Sequence, residues 1–223
     1  FLKHCSQRGH ADGDYSVAVP SFRFRRLSSV PKAMPLECVG RLLASLDEST
    51  APGARDLAIV HLLATYGVRG AQVRRLKLAD IDWDRGEITF PAAKRGKAVR
   101  QPLTIETGDA LCGYLRKFRP RVDFPEVFLT SSPPWRPLST STELSRIIRD
   151  RLREAGVEPP AGVSRGSHGF RHAFGTRLVG RVPMKVLADM LGHRDMSSSL
   201  VYGKVDLASL RETALPWAEV GHE

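Results

Sequence analysis

From Pro35 onward the apolar positions Leu36, Val39, Leu42, Leu43 and Leu46 recur every three or four residues, the spacing of one face of an amphipathic helix. Ala51-Pro52-Gly53 punctuates the chain before a second helix at about 54–66, and a third, short helix is predicted at about 71–78. Glu87-Ile88-Thr89-Phe90 and Arg100-Gln101-Pro102-Leu103 read as short strands on either side of Lys94-Arg95-Gly96-Lys97, a hairpin with a basic turn. Helical spacing resumes at about 106–118, an extended Val127-Phe128-Leu129 follows, and Thr140-x-x-Glu143 has the form of a capping box opening a helix at about 141–155. Ser167 is the expected N-cap of a helix at about 168–179, and Pro183 suits the first turn of one ending at Gly192. Asp195 is expected to cap a helix containing Tyr202, and an amphipathic stretch at about 206–214 closes the pattern. The fold class is therefore mainly α with a small antiparallel β-sheet (α+β).

Residues 1–33 mix Gly, Ser, His and basic residues without sustained periodicity, so they are expected to form an extended basic arm or interdomain linker ending in Arg23, Arg25, Arg26 and Lys32. One domain over 34–215 and a tail at 216–223 complete the organisation. A hydrophobic content of 42% over 223 residues suffices for a core of that size. Lys and Arg number 34 against 24 Asp and Glu, a formal net charge of +10, which favours polyanionic partners such as nucleic acid over the plain alternative of a solvated basic surface. Cys5, Cys38 and Cys112 cannot all pair internally and are too far apart for a CxxC knuckle, which suits a reduced, cytoplasmic setting. No apolar run reaches the length of a membrane span, and Phe1-Leu2-Lys3-His4-Cys5 lacks the apolar centre of a signal peptide. The chain does not begin with Met, so an upstream segment is expected.

The chemistry concentrates in His168-Gly169-Phe170-Arg171-His172. A spacing of three puts His168 and Arg171 on one helix face. Cations are misplaced at a helix start, where the positive end of the dipole and unpaired N–H donors favour an anion. A bound phosphate resolves that conflict; an arginine whose long stem reaches water is the plain reading. Leu191-Gly192-His193 follows, and Tyr202 stands nine positions after His193. Upstream, Thr65-Tyr66-Gly67-Val68-Arg69 leads into Val73, Leu76, Leu78 and Asp80-Ile81-Asp82, with Gly67 and Gly70 flanking the Arg69 segment.

Together these segments resemble the tyrosine recombinase (phage integrase) family over about residues 33–215, six roles falling in the family's order and spacing. The resemblance implies the fold of that family's catalytic domain and assigns Arg69, Lys94, His168, Arg171, His193 and Tyr202 as catalytic. Lys94 takes the hairpin-lysine role on its spacing to Pro102, with Lys97 in the same turn as the other candidate. It implies that Tyr202 attacks a DNA phosphate to give a 3'-phosphotyrosyl enzyme and a free 5' hydroxyl, with Arg69 and Arg171 on the non-bridging oxygens and His193 as a third donor. Lys94 would protonate the leaving oxygen, and His168 would position the phosphate and accept a proton. Neither a cofactor, ATP nor a metal is required.

DNA contacts are expected from Arg74, Arg75, Arg95, Lys97, Arg146, Arg149 and Arg153. Implied partners are double-stranded DNA and further copies of the chain, a tetramer in synapsis; no membrane is involved. The family's amino-terminal DNA-clamping domain is not recognisable in residues 1–33 and is expected to be missing. One departure stands out: Gln72 occupies the position where many relatives carry an acid, which removes an ion-pair partner for Arg69. The competing functions are a type IB topoisomerase and a DNA-binding module that would not need Tyr202. A zinc site at His168 and His172 is disfavoured, because no HExxH pattern is present and Arg171 would repel the ion.

Overall fold

The structure, a computed structural model, describes residues 2–13, 15, 18, 31–92, 97–193, 198, 199 and 202. Its first element is a short helix, α1 (Leu2–Gln7), where the residue pattern predicts an extended arm. None of the residues of α1 is buried, and a helix that covers no apolar face leaves no periodicity to read. The basic run Arg23, Arg25 and Arg26 lies outside the described residues. Met34, in contrast, is buried and its N–H donates to the Gly169 carbonyl at 3.1 Å, so the packed body begins there.

Helix α2 (Leu36–Ala44) buries Val39 and Leu42 against α3 (Ala51–Tyr66), the helix at the centre of the domain. Ala51-Pro52-Gly53 proves to be the first turn of α3 rather than its preface. Thr50 caps it by accepting from the Gly53 N–H at 3.2 Å, and proline in a first turn has no hydrogen bond to lose. Ala58, Ile59, Leu62 and Leu63 of α3 are completely buried, with α5 (Ile105–Gly113), a π-helical turn at Tyr114–Phe118 and α7 (Ser167–Leu178) packed around them.

The helix predicted at about 71–78 is divided. α4 spans Gly70–Arg74, and a 3-10 turn spans Leu78–Asp80. Between them the backbone bonds elsewhere, with Val127 N–H donating to Leu76 O and Leu78 N–H to Pro125 O, both at 2.8 Å, so long-range pairing overrides local helical spacing. A three-stranded antiparallel sheet follows in the order β1 (Ile81–Asp82), β2 (Glu87–Phe90), β3 (Val99–Pro102). The predicted hairpin is β2 and β3, with Phe90 opposite Val99; β1 is too short to announce itself by alternation. Lys94 and Arg95 of the basic turn lie outside the described residues, while Lys97 is exposed.

Helix α6 (Ser141–Glu154) opens with the predicted capping box and turns Leu144, Ile148 and Leu152 inward. α7 begins one residue earlier than its pattern suggests, with Gly166 rather than Ser167 at the N-cap, and α8 spans Met184–Met190. Phe174, Leu187, Leu191 and Tyr202 form a second, smaller apolar cluster beneath α7 and α8. The expected cap at Asp195 and the stretch at about 206–214 lie outside the described residues.

One charged cluster sits within the packed body. Asp56, 1% exposed, receives the Arg55 Nε at 2.8 Å and the Arg151 Nε at 2.7 Å, and Arg55 also donates to the Leu129 carbonyl at 3.2 Å. Arg151 is thus the α6 arginine that turns inward, tying α6 to α3. Removing the carboxylate leaves Arg55 buried without its counter-ion, a loss of about 3–5 kcal/mol for pairs of this kind. Asp56→Ala should therefore lower the unfolding free energy in urea by about that amount; a loss within about 0.5 kcal/mol, typical of surface changes, would mean the cluster is not a structural element.

Candidate active site

Helix α3 ends at Gly67, whose φ of 58° places it in the left-handed region, the usual conformation of a residue just past a helix end. A Cβ there would also stand 2.6 Å from Cγ of Phe174, so glycine both turns the chain and lets α7 approach. Arg69 follows at the N-cap of α4. Gln72, 1% exposed, accepts the Arg69 backbone N–H through Oε1 at 3.0 Å and donates through Nε2 to the Pro91 carbonyl at 3.0 Å. The residue that the sequence marks as a missing acid therefore fixes the Arg69 backbone to the end of β2. The signal for it was present as a glutamine three residues after a helix start, half of a capping box.

On the opposite side, α8 closes in a Schellman turn: His193 N–H donates to Ala188 O and Gly192 N–H to Asp189 O, both at 2.9 Å, with Gly192 at φ 61°. This turn leaves the Leu191 and Gly192 carbonyls without helical partners. Arg171, only 5% exposed, donates to Leu191 O at 2.8 Å and to Gly67 O at 2.8 Å. Arg69 Nη1 donates to Leu191 O and Gly192 O at 3.4 Å each. Both guanidinium groups thus converge on the end of α8, and among the described residues neither forms an ion pair. Burial pushes Arg171 down to about 10, with Arg69 adding to the effect, so it stays charged at neutral pH.

His193 is placed by the same turn. Its Nδ1 lies 2.6 Å from Oγ of Ser199, which is completely buried, and burial followed by the charges of Arg171 and Arg69 pushes its pKa down to about 4. Tyr202, 2% exposed, packs its ring against Gly175 of α7 and lies 5.8 Å from the His172 ring centroid. Its N–H donates to Ser199 O at 2.9 Å. Burial raises the phenol pKa while Arg171 and Arg69 oppose that rise, so the resting hydroxyl is neutral.

Arg69, Arg171, His193 and Tyr202 are therefore brought together. His168 is exposed in the first turn of α7, its ring 6.4 Å from that of His172, and Lys94 lies outside the described residues. The hairpin nevertheless reaches the site, since a Cβ on Gly192 would lie 2.9 Å from Val99 of β3.

The residues expected to contact DNA divide in two. Arg146 and Arg149 are exposed on α6, and Arg153 beside them pairs with Asp150 at 3.3 Å. Arg74 is instead half-buried and donates to the Leu138 and Ser139 carbonyls, and Arg75, although exposed, donates to Ala71 O at 3.1 Å and Ala92 O at 2.7 Å. Arg95 is outside the described residues. Gly175 and Ser199 escaped the sequence reading. A glycine in mid-helix was a signal for the first. Ser199 had none, because its contact with the His193 ring follows from the fold and not from a local pattern.

The sequence pattern of the phage integrase family matches residues 32–208. A Sinorhizobium fredii (strain NBRC 101917 / NGR234) protein with the provisional name integrase/recombinase y4rF is 39% identical over 219 residues; these cover 97% of this chain but 51% of that protein, so the chain spans about half its relative's length. The crystal structure of XerA recombinase superposes with a TM-score of 0.66 at 26% identity, covering 87% of this chain and 65% of the other. A crystal structure of XerH site-specific recombinase bound to difH substrate, a pre-cleavage complex, gives a TM-score of 0.62 at 21% identity over 86% of this chain and 55% of that one.

Two outcomes follow from the geometry. A Cβ at residue 175 would lie 2.5 Å from Cε1 and Cζ of Tyr202, so Gly175→Ala should displace that ring despite the better helix propensity of alanine. Tyr202 ring resonances in NMR spectra should shift with the far-ultraviolet circular dichroism retained; unchanged resonances would contradict the packing. The second concerns pH. With His193 held at about 4, below its ordinary 6.5, the unfolded chain binds the extra proton between those values, so stability rises with pH across that window and is lost as pH falls through it. Between pH 6.5 and 4 the urea midpoint should fall more steeply for the natural chain than for His193→Gln; parallel curves would show that His193 titrates normally.

Proposed function

Since the chain belongs to the phage integrase family, we propose that it breaks and rejoins duplex DNA through a covalent bond between the Tyr202 hydroxyl and a backbone phosphate. The observation that carries this reading is the pair Arg69 and Arg171. Two guanidinium groups beside a buried tyrosine, held among the described residues by carbonyl oxygens rather than carboxylates, form a site whose charge is left for an external anion. A phosphodiester suits it, since the transition state places negative charge on non-bridging oxygens that such donors can reach.

In this reading the Tyr202 oxygen attacks phosphorus, the P–O5' bond breaks, and the phosphate remains on the enzyme at its 3' side. The departing 5' oxygen takes a proton, a role the resemblance gives to Lys94. Arg69 and Arg171 favour the phenolate in the free protein. A bound phosphate offsets part of that support, so the phenol needs a proton acceptor at the moment of attack, the role read for His168. His193, neutral in the free protein, donates to the phosphate through a ring N–H. The reverse reaction with a second 5' hydroxyl rejoins the strand without ATP, because the phosphotyrosyl bond conserves the energy of the one broken.

The exposed arginines Arg146 and Arg149 supply a phosphate-contacting surface in this reading. Strand exchange requires two duplexes, so the active form is proposed to be a homo-oligomer on DNA, a tetramer in synapsis. The three cysteines, none in a disulfide, fit the reducing cytoplasm where such an activity would meet DNA.

The test is incubation with a pool of nicked duplexes of randomised sequence, in EDTA, followed by a denaturing gel. The natural chain should give a protease-sensitive protein–DNA adduct and Tyr202→Phe none. Arg171→Lys keeps the charge but loses the two-pronged donor, and should slow adduct formation by about 10²–10³. No adduct from the natural chain, or one that persists in Tyr202→Phe, would overturn the proposal.

A further inference from the structure

Ser199 lies between His193 and Tyr202 in sequence and touches the placement of both. Its side chain is completely buried, its Oγ is 2.6 Å from Nδ1 of His193, and its carbonyl receives the Tyr202 N–H at 2.9 Å. A neutral imidazole carries one proton, and its two nitrogens have different roles according to which holds it. Were His193 Nδ1 to donate to Ser199, the buried hydroxyl proton would need a second acceptor, and among the described residues no other hydrogen bond of Ser199 Oγ occurs. An unspent buried donor costs free energy, whereas donation from Ser199 to Nδ1 leaves none. The proton of His193 then resides on Nε2, the nitrogen left to face a ligand.

From this geometry we propose that Ser199 is a positioning residue: its hydroxyl donates to Nδ1 of His193, holds the ring in the Nε2–H tautomer, and so aims an uncharged N–H donor at the scissile phosphate. The consequence rests on the proposed strand-joining reaction; the tautomer itself does not. The arrangement meets a specific need. With its pKa near 4, His193 carries no positive charge at neutral pH, so it donates through Nε2 only if Nδ1 is the acceptor. Because the Ser199 carbonyl also receives the Tyr202 N–H, one residue bonds to both donor and nucleophile.

Nitrogen chemical shifts of His193 at pH 7 in the full chain read the tautomer directly. The natural chain and Ser199→Thr, which keeps the hydroxyl, should show Nε2–H; Ser199→Ala should show a mixture or Nδ1–H. With the randomised nicked duplexes, Ser199→Ala should form adduct about ten- to a hundred-fold more slowly, the scale known for removing a partner that orients a functional histidine at metal sites. DNA affinity should be unchanged, Ser199→Thr should restore the rate, and in a His193→Ala background Ser199→Ala should have no further effect. An Nδ1–H tautomer in the natural chain, an unchanged tautomer in Ser199→Ala, or equal slowing with and without His193 would overturn the proposal. Absence of any adduct from the natural chain would instead remove the strand-joining reading, and the tautomer measurement would then decide the role of Ser199 alone.

Discussion

Two positively charged side chains share the carbonyl oxygen of Leu191, and the organisation of the site depends on that shared contact. Arg171 reaches it from α7 at 2.8 Å and Arg69 from the α3–α4 junction at 3.4 Å. Like charges repel, and each group also gives up hydration on burial. The arrangement persists because the Schellman turn closing α8 leaves carbonyls that need donors, and because Gly67 supplies another. Carbonyl oxygens satisfy guanidinium hydrogens without cancelling their charge. A carboxylate in their place would neutralise the site and leave less for a phosphate to gain.

The small cluster of Phe174, Leu187, Leu191 and Tyr202 connects this charge to the apolar packing. Leu191 gives its side chain to the cluster and its carbonyl to the arginines, so the burial that holds α8 in place also places the oxygen that gathers the cations. Phe174 lies against Gly67 and Tyr202 against Gly175, contacts too close for a Cβ at either glycine. A shift of α8 would therefore move both arginine anchors, His193 and the packing around Tyr202 together. The domain's larger core, centred on α3, provides the other side of the frame.

Much of the site was legible in the sequence because its side chains are chemically conspicuous. Arginines beside helix starts, a histidine after a Leu-Gly helix end and a tyrosine at a set distance from it are marked by residue type and spacing, and the family resemblance implies their roles. Helices α2, α3, α5 and α6 and the β2–β3 hairpin were legible through apolar spacing and capping signals, whereas α1 buries no residue and left no period to count. Elements that depend on distant partners were not. β1 has two residues and exists because β2 lies beside it; the helix predicted over 71–78 breaks because Leu76 and Leu78 bond to residues 125–127. Gln72 read as a missing ion-pair partner; its hold on the Arg69 N–H has a local capping-box signal, but its reach to Pro91 has none. Ser199 was not singled out at all.

The proposed reaction leaves the Tyr202 oxygen bonded to a phosphate that retains its 3' sugar. Mass spectrometry of the protease-digested adduct reads this directly, because trypsin releases Tyr202 on the peptide of residues 195–204. Nucleotide mass is expected on that peptide, localised to Tyr202, with the released strand bearing a free 5' hydroxyl that accepts labelled phosphate without prior phosphatase treatment. Nucleotide mass on another residue, or a released strand ending in a 3' hydroxyl with the phosphate linked through its 5' side, would contradict it.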